Sequence, residues 1–277
     1  MFPATSLPTV ALCRLEWDSL HFGVPVAELP SPEMSDEDLR SVLTTARAEG
    51  LHLVYWAAHR ERTLPTDLMV EFHGLAVNHR VRFLATLKNQ QPRPSSSGLF
   101  DDRQPLSHGR GSKSSSSYRV GELPRGPASK ELLQLSIVAG GHSRFQVDPR
   151  IPADKFRELY EVWMNRSTRR ELADVVLVAT PSNAPDDFVG VITLSETAGA
   201  GQIGLLAVRE DHRGQGVATL LMTAAHDWLR QRDATELSVV TQLENREACA
   251  LYSRWNCEAV EVRQWFHFWP QFAAEGR

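Results

Sequence analysis

Residues Ile203–Leu221 read IGLLAVREDHRGQGVATLL. An apolar run gives way to charge at Arg209–Arg213, passes through Gly214-Gln-Gly216, and turns apolar again with a different period. Beyond the glycines the apolar positions are Val217, Leu220, Leu221, Ala224, Trp228 and Leu229, a spacing that predicts an amphipathic helix. The glycines therefore stand at a helix N-terminus, where the first amides lack intrahelical partners and carry the positive end of the helix dipole. Gly214 and Gly216 clear side chains away and Arg213 adds positive charge, which suits an anion, most naturally a pyrophosphate. A capping turn with a surface arginine is the plainer alternative. No Lys-Ser/Thr follows the glycines, so this is not a P-loop. A dinucleotide loop would need three spaced glycines in a parallel strand–helix–strand unit.

The strands before the loop read as antiparallel. VVLVAT (175–180) and FVGVITLS (188–195) are strand-like and joined by a Pro/Asn/Asp turn; TAGAGQ (197–202) turns the chain into IGLLAV. Short turns between consecutive strands predict a meander. Upstream, Phe156, Leu159, Tyr160, Trp163 and Met164 form a helical face that starts after Pro152. Downstream come a strand (236–242), a helix (246–255) and a long aromatic strand (259–269). The N-terminal part opens on the strand-like VALCRLEW, followed by a helix ending at Gly50 with Leu39, Val42, Leu43 and Ala46 on one face. LHLVYWAA (51–58) and LAVNHRVRFLATL (75–87) read as strands. Together these predict a mixed α/β layer architecture.

Composition divides the chain. Ser, Pro and Gly make up about half of residues 89–117, and apolar residues are nearly absent there, so this segment is expected to be a disordered linker. The expected domains are 1–88 and 118–277. At 277 residues, 42% hydrophobic and 23% charged with a net charge of −4, the chain is an ordinary soluble protein with no nucleic-acid surface expected. Cys13, Cys249 and Cys257 are scattered, giving neither a metal-ligand spacing nor a disulfide framework. The opening residues lack the n- and h-regions of a signal peptide, and no run approaches the length of a membrane span, so a cytoplasmic protein is expected.

A second pattern narrows the anion. Asn245 and Tyr252 lie seven residues apart, about two helical turns or roughly 10 Å, on nearly one face. Asn245 sits where strand becomes helix, placed to cap that helix, to touch a ligand, or both. Tyr252 reads equally as a core tyrosine.

Arg213-Gly-Gln-Gly216-Val-Ala218 after a strand, followed by Asn245, Ala248 and Tyr252, resembles the GCN5-related N-acetyltransferase (GNAT) family over about residues 145–269. The resemblance implies a mainly antiparallel central sheet flanked by helices, with a smaller N-terminal α/β domain like a partial copy of that fold. It implies acetyl-CoA as cosubstrate and no metal. Backbone groups of Leu206, Ala207 and Val208 would pair with the pantetheine arm. Amides of Gly214, Gln215, Gly216, Val217, Ala218 and Thr219, beside Arg213, would hold the pyrophosphate. Asn245 would touch the pantetheine, and Tyr252 would act as general acid toward the leaving thiolate. Where the family has Gly-Phe after the tyrosine helix, this chain has Asn256-Cys257; asparagine tolerates the same left-handed cap.

The resemblance implies a primary amine as the acceptor. Leu15–Gly23, Trp163 with the following Asn-Arg-Ser, and Trp265–Trp269 resemble the subgroup typified by dTDP-fucosamine acetyltransferase, which implies an amino sugar on a nucleotide. Arg166, Arg169 and Arg170 would then meet the diphosphate, or else simply complement a helix end. Trp17, His21 and Phe22 would pack a sugar ring, or belong to the first strand's core. Glu196, Glu244 and His226 are base candidates without a motif. Acetylation of a protein N-terminus or lysine, and a non-catalytic acyl-CoA-binding module, are the alternatives; the resemblance leaves room for a homodimer.

Overall fold

The computed structural model describes residues 12–87 and 117–272. The Ser-rich stretch lies outside the described residues except for Ser117. In chain order the elements are β1 (Cys13–Arg14), α1 (Glu16–Phe22), β2 (Val26–Leu29), α2 (Asp36–Ala48), β3 (Leu53–His59), α3 (Thr66–Glu71), β4 (Leu75–Thr86), β5 (Tyr118–Glu122), α4 (Lys130–Ala139) and α5 (Arg144–Val147). They continue with α6 (Ala153–Thr168), β6 (Val175–Pro181), β7 (Gly190–Thr197), β8 (Ala200–Val208), a 3₁₀ turn (Glu210–His212), α7 (Val217–Arg230), β9 (Glu236–Gln242), α8 (Arg246–Arg254) and β10 (Glu258–Phe268).

These form two compact units, each discontinuous in sequence. One comprises Met1–Arg80, Ser143–Lys155 and Val262–Arg277; the other comprises Val81–His142 and Phe156–Glu261. The compositional break at 89–117 falls inside the second unit's span, between β4 and β5.

In the first unit β1 and β2 are antiparallel, β2 and β3 parallel, and β3 pairs antiparallel with β10 from Val54↔Phe268 to His59↔Arg263. Alternation along β3 separates two cores, as a pleated strand covered on both faces requires. Val54, Trp56 and Ala58 join Leu39, Leu43 and Ala46 of α2, with Phe266 and Phe268. Leu53 and Tyr55 join Val26, Val77 and Trp265 on the other face. Three of the four residues on the expected face of α2 are buried, and Ser35 caps it by accepting from Asp38 N at 3.0 Å. On the second face Asp148 collects N–H donors from His267 Nδ1 (2.8 Å), Trp269 Nε1 (2.9 Å) and the Arg150 amide (3.0 Å). Burial pushes His267 down to about 4, so the ring is neutral and donates to a carboxylate.

One expectation fails in this unit. Among the described residues of VALCRLEW, Cys13–Arg14 form the two-residue β1, and Glu16–Phe22 is helical. Trp17 and His21 are i and i+4 on α1, their rings parallel at 5.1 Å, rather than residues of a first strand's core. Gly23 (φ 71°) closes the helix by bonding back to Ser19 O, a local stop that outweighs the strand-like composition before it.

In the second unit β5, β6, β7 and β8 form a continuous antiparallel meander, and β9 adds to β8 in parallel. Helix α7 packs on β5–β8; of the expected stripe Val217, Leu221, Trp228 and Leu229 are buried and Leu220 and Ala224 half-buried, while Met222, Ala225 and His226 are buried as well. On α6, Phe156, Leu159, Tyr160 and Met164 are buried and Trp163 is 36% exposed. The short β2 and β5 and helices α3 and α4 carry little periodic signal and were not expected from pattern.

Candidate functional site

Strand β8 is where the second unit departs from regularity. Its ladder with β7 runs from Thr197↔Ala200 to Leu194↔Ile203, then resumes at Ile192↔Leu206. Gly204 and Leu205 thus oppose the single Thr193, a bulge. The Thr193 hydroxyl accepts from the displaced Leu205 amide at 2.8 Å. A Cβ on residue 204 would lie 2.8 Å from that oxygen, so glycine is required there. The isolated glycine within the strand pattern was the sequence signal available for this bulge.

The parallel ladder with β9 spans Ala200↔Glu236 to Ile203↔Val239 and ends there, although β8 continues to Val208 and β9 to Gln242. Leu206, Ala207 and Val208 keep β7 partners (Ile192, Val191, Gly190) on one side only. Their other side is a sheet edge opened inside the fold, offering backbone groups to an extended ligand.

The edge leads into the glycine loop. Gly214 (φ 70°) and Gly216 (φ 84°) are both left-handed, the conformation that glycine adopts without strain. Nothing lies within 4 Å of a Cβ built on either, so the space above them is open. Gly216 is the N-cap of α7 and, having no side chain, gives no cap bond to the helix's first amides. Ala218 is half-buried and Thr219 exposed on the first turn, whereas Val217 is buried and anchors it. Arg213 is exposed, its Nε 3.3 Å from Val208 O. The residues present fit a phosphate-bearing ligand with a linear arm.

The Gln215 side chain is held at both ends: Oε1 accepts from Tyr118 Oη at 2.5 Å and Nε2 donates to Asp211 O at 2.9 Å. Tyr118 and its partner His212 were not singled out by any sequence pattern.

Asn245 N-caps α8, its Oδ1 accepting from Ala248 N at 3.1 Å. Tyr252 is 4% exposed, its ring 5.9 Å from that of Phe83. Burial, with the Cys257 and Cys249 thiols beside it, raises the phenol well above its ordinary range, so it stays protonated. Asn256 takes the left-handed cap at φ 57°. All three cysteines are free thiols.

Other candidates separate. His226 is 3% exposed against Trp255, with both ring nitrogens unpartnered, and burial pushes it down to about 4; it is a core residue. Glu196 Oε1 accepts from Gly199 N at 2.5 Å in the β7–β8 turn. Glu244 is exposed beside Asn245. Arg166 pairs with Glu171 (3.2 Å), and Arg170 donates to Leu123 O (2.6 Å) near Glu122; Arg169 is exposed. Among the described residues no cluster of three metal-ligating side chains occurs, and no helix is long and apolar enough to cross a membrane.

The family model described as acetyltransferase (GNAT) family matches residues 145–256. Two curated relatives are similar in sequence. N-alpha-acetyltransferase 30 of Schizosaccharomyces pombe is 34% identical over 74 residues, 25% of this chain and 49% of that protein. The dTDP-fucosamine acetyltransferase of Escherichia coli is 28% identical over 137 residues, 49% of this chain and 57% of that protein. The chain thus spans about half the length of the curated relatives it matches. Among solved structures, a GCN5-related N-acetyltransferase from Sphaerobacter thermophilus superposes with a TM-score of 0.57 at 18% identity, over 91% of this chain and 75% of that one. A tandem GNAT protein from the clavulanic acid biosynthesis pathway gives 0.53 at 11% identity, covering 91% and 77%. At these identities the likeness is one of fold.

Proposed function

We propose that the protein transfers an acetyl group from acetyl-CoA to a primary amine, with an amino sugar carried on a nucleotide as the acceptor. The observation that carries the donor half is the one-sided pairing of Leu206–Val208, leading directly into an open glycine loop at the start of α7. In this reading the free edge of β8 aligns the pantetheine arm and offers an N–H to the thioester oxygen as negative charge develops there. Amides from Gly214 to Thr219 hold the diphosphate, with Arg213 at its rim. Asn245 has committed Oδ1 to its cap, so Nδ2 is the atom left to donate to the donor's arm. Tyr252, kept protonated by burial, has a proton to share with the departing thiolate, although the same burial makes the phenol a weaker acid. Holding donor and amine together contributes much of the acceleration.

The acceptor half rests on the dTDP-fucosamine acetyltransferase likeness. The arginines at the end of α6 add little to it, because two of the three are engaged within the chain. A second reading, acetylation of a protein N-terminus, is favoured by the shorter but higher-identity match to N-alpha-acetyltransferase 30. A transfer assay with dTDP- and UDP-amino sugars beside peptide amines separates the two. Acetylation of peptides alone would replace the sugar reading with the second one, and acetylation of neither, with no coenzyme A bound, would remove both.

A further inference from the structure

Gln215 is an exposed residue between two left-handed glycines, yet its side chain is held at both ends. Hydrogen-bond directions behind it can be assigned from chemistry alone. The Arg209 guanidinium can only donate. It grips Asp187 through Nη1–Oδ1 (2.6 Å) and Nη2–Oδ2 (3.2 Å), and Asp211 through Nε–Oδ1 (2.8 Å). Its Nη2 also stands 2.7 Å from His212 Nε2, which must therefore be the unprotonated nitrogen. The neutral ring then carries its proton on Nδ1, 2.8 Å from Tyr118 Oη, so the phenol oxygen accepts there. The phenol's own proton is left for Gln215 Oε1 at 2.5 Å. Donors and acceptors run in one direction, from Arg209 through His212 and Tyr118 to Gln215.

We propose that Tyr118 is a positioning residue for the diphosphate of the acyl donor, acting through Gln215, with the His212–Arg209–Asp187 chain orienting its hydroxyl. The proposal rests on the reading of residues 213–219 as the diphosphate cradle. Tyr118 opens β5, is 8% exposed, and pairs with Pro181 of the neighbouring strand, so its oxygen is a rigid point. The two glycines leave the loop backbone free to take many shapes, and order absent before binding must be gained on binding. Tying the one side chain between them to a sheet residue 97 positions away sets the direction of the loop amides in advance.

The test uses the full chain with Tyr118→Phe, Gln215→Met and the double variant. Calorimetry measures coenzyme A and, separately, pantetheine, which has the same arm without the diphosphate. Each single variant is expected to weaken coenzyme A about five- to tenfold, as one lost hydrogen bond at a preorganised site does, and the double variant by no more than the worse single one. The ratio of coenzyme A to pantetheine affinity should fall by the same factor, which general loosening of the fold would not produce. Coenzyme A affinity within about twofold of wild type in both single variants, equal losses for both ligands, or losses that multiply in the double variant would each overturn the proposal. Gln215→Met is at an exposed position and remains informative should Tyr118→Phe disturb β5. Wild-type protein that binds no coenzyme A would instead bring down the cradle reading and this proposal with it.

Discussion

Thr193 and Gly204 face each other across β7 and β8, the threonine oxygen 2.8 Å from where a Cβ on residue 204 would stand. The same oxygen serves the Leu205 amide that the bulge displaces, so one hydroxyl and one missing methyl maintain the irregularity together. Gly204→Ala should expel that hydroxyl and strand a buried amide, costing about 1–3 kcal/mol by denaturant titration. Thr193→Val removes the acceptor and should cost a similar amount. Either variant at wild-type stability would show that the bulge does not depend on this contact.

Gly216→Trp should abolish coenzyme A binding. Position 216 has φ 84°, so any side chain there carries strain of roughly 1–2 kcal/mol. Its Cβ direction, however, meets nothing within 4 Å, so the ring would enter the space above the first turn of α7 while folding survives. A calorimetric titration showing normal affinity would refute the cradle.

Tyr252→Phe should lower turnover with little change in acetyl-CoA affinity, because the buried ring is retained and only the hydroxyl is lost. Since burial raises the phenol, the basic limb of the wild-type pH–rate profile should not report its ionisation anywhere below its ordinary range. Unchanged turnover in the variant would end the general-acid role.

His226 should make the second unit sensitive to acid. Unfolded, this histidine takes up a proton near its ordinary 6.5; folded, burial delays that to about 4. Between those values the unfolded chain binds more protons, so stability is complete above about 6.5 and falls as the pH drops toward 4, by up to roughly 3 kcal/mol. His226→Leu should flatten that part of the stability–pH curve, measured by urea titration at pH 7 and at pH 5. Parallel curves for wild type and variant would show that another group carries the acid response.

Much of this molecule follows from local pattern. The stripe from Val217 to Leu229 is a helix because a 3.6-residue apolar period can bury one face in no other regular way. β6, β7 and β8 form a meander because short turns permit nothing else between consecutive strands. Arg213–Gly216 and the Asn245/Tyr252 pair were legible because a helix N-terminus and a helix face impose fixed spacings. Glu16–Phe22 was misjudged because seven residues are too few to show a period, and its stop at Gly23 depends on one backbone angle.

What pattern could not supply depends on partners distant along the chain. The parting of β8 from β9 after Ile203 is a matter of register between two strands, and sequence carries no mark where a ladder ends. Tyr118, at the first position after the Ser-rich stretch, gains its meaning from Gln215, and no period links residues 97 apart. Each unit is discontinuous in sequence for the same reason: its core is shared among segments that fold against one another, wherever they lie in the chain. Spacing along the chain therefore named the candidate site residues; register across it left Leu206–Val208 paired on one side only.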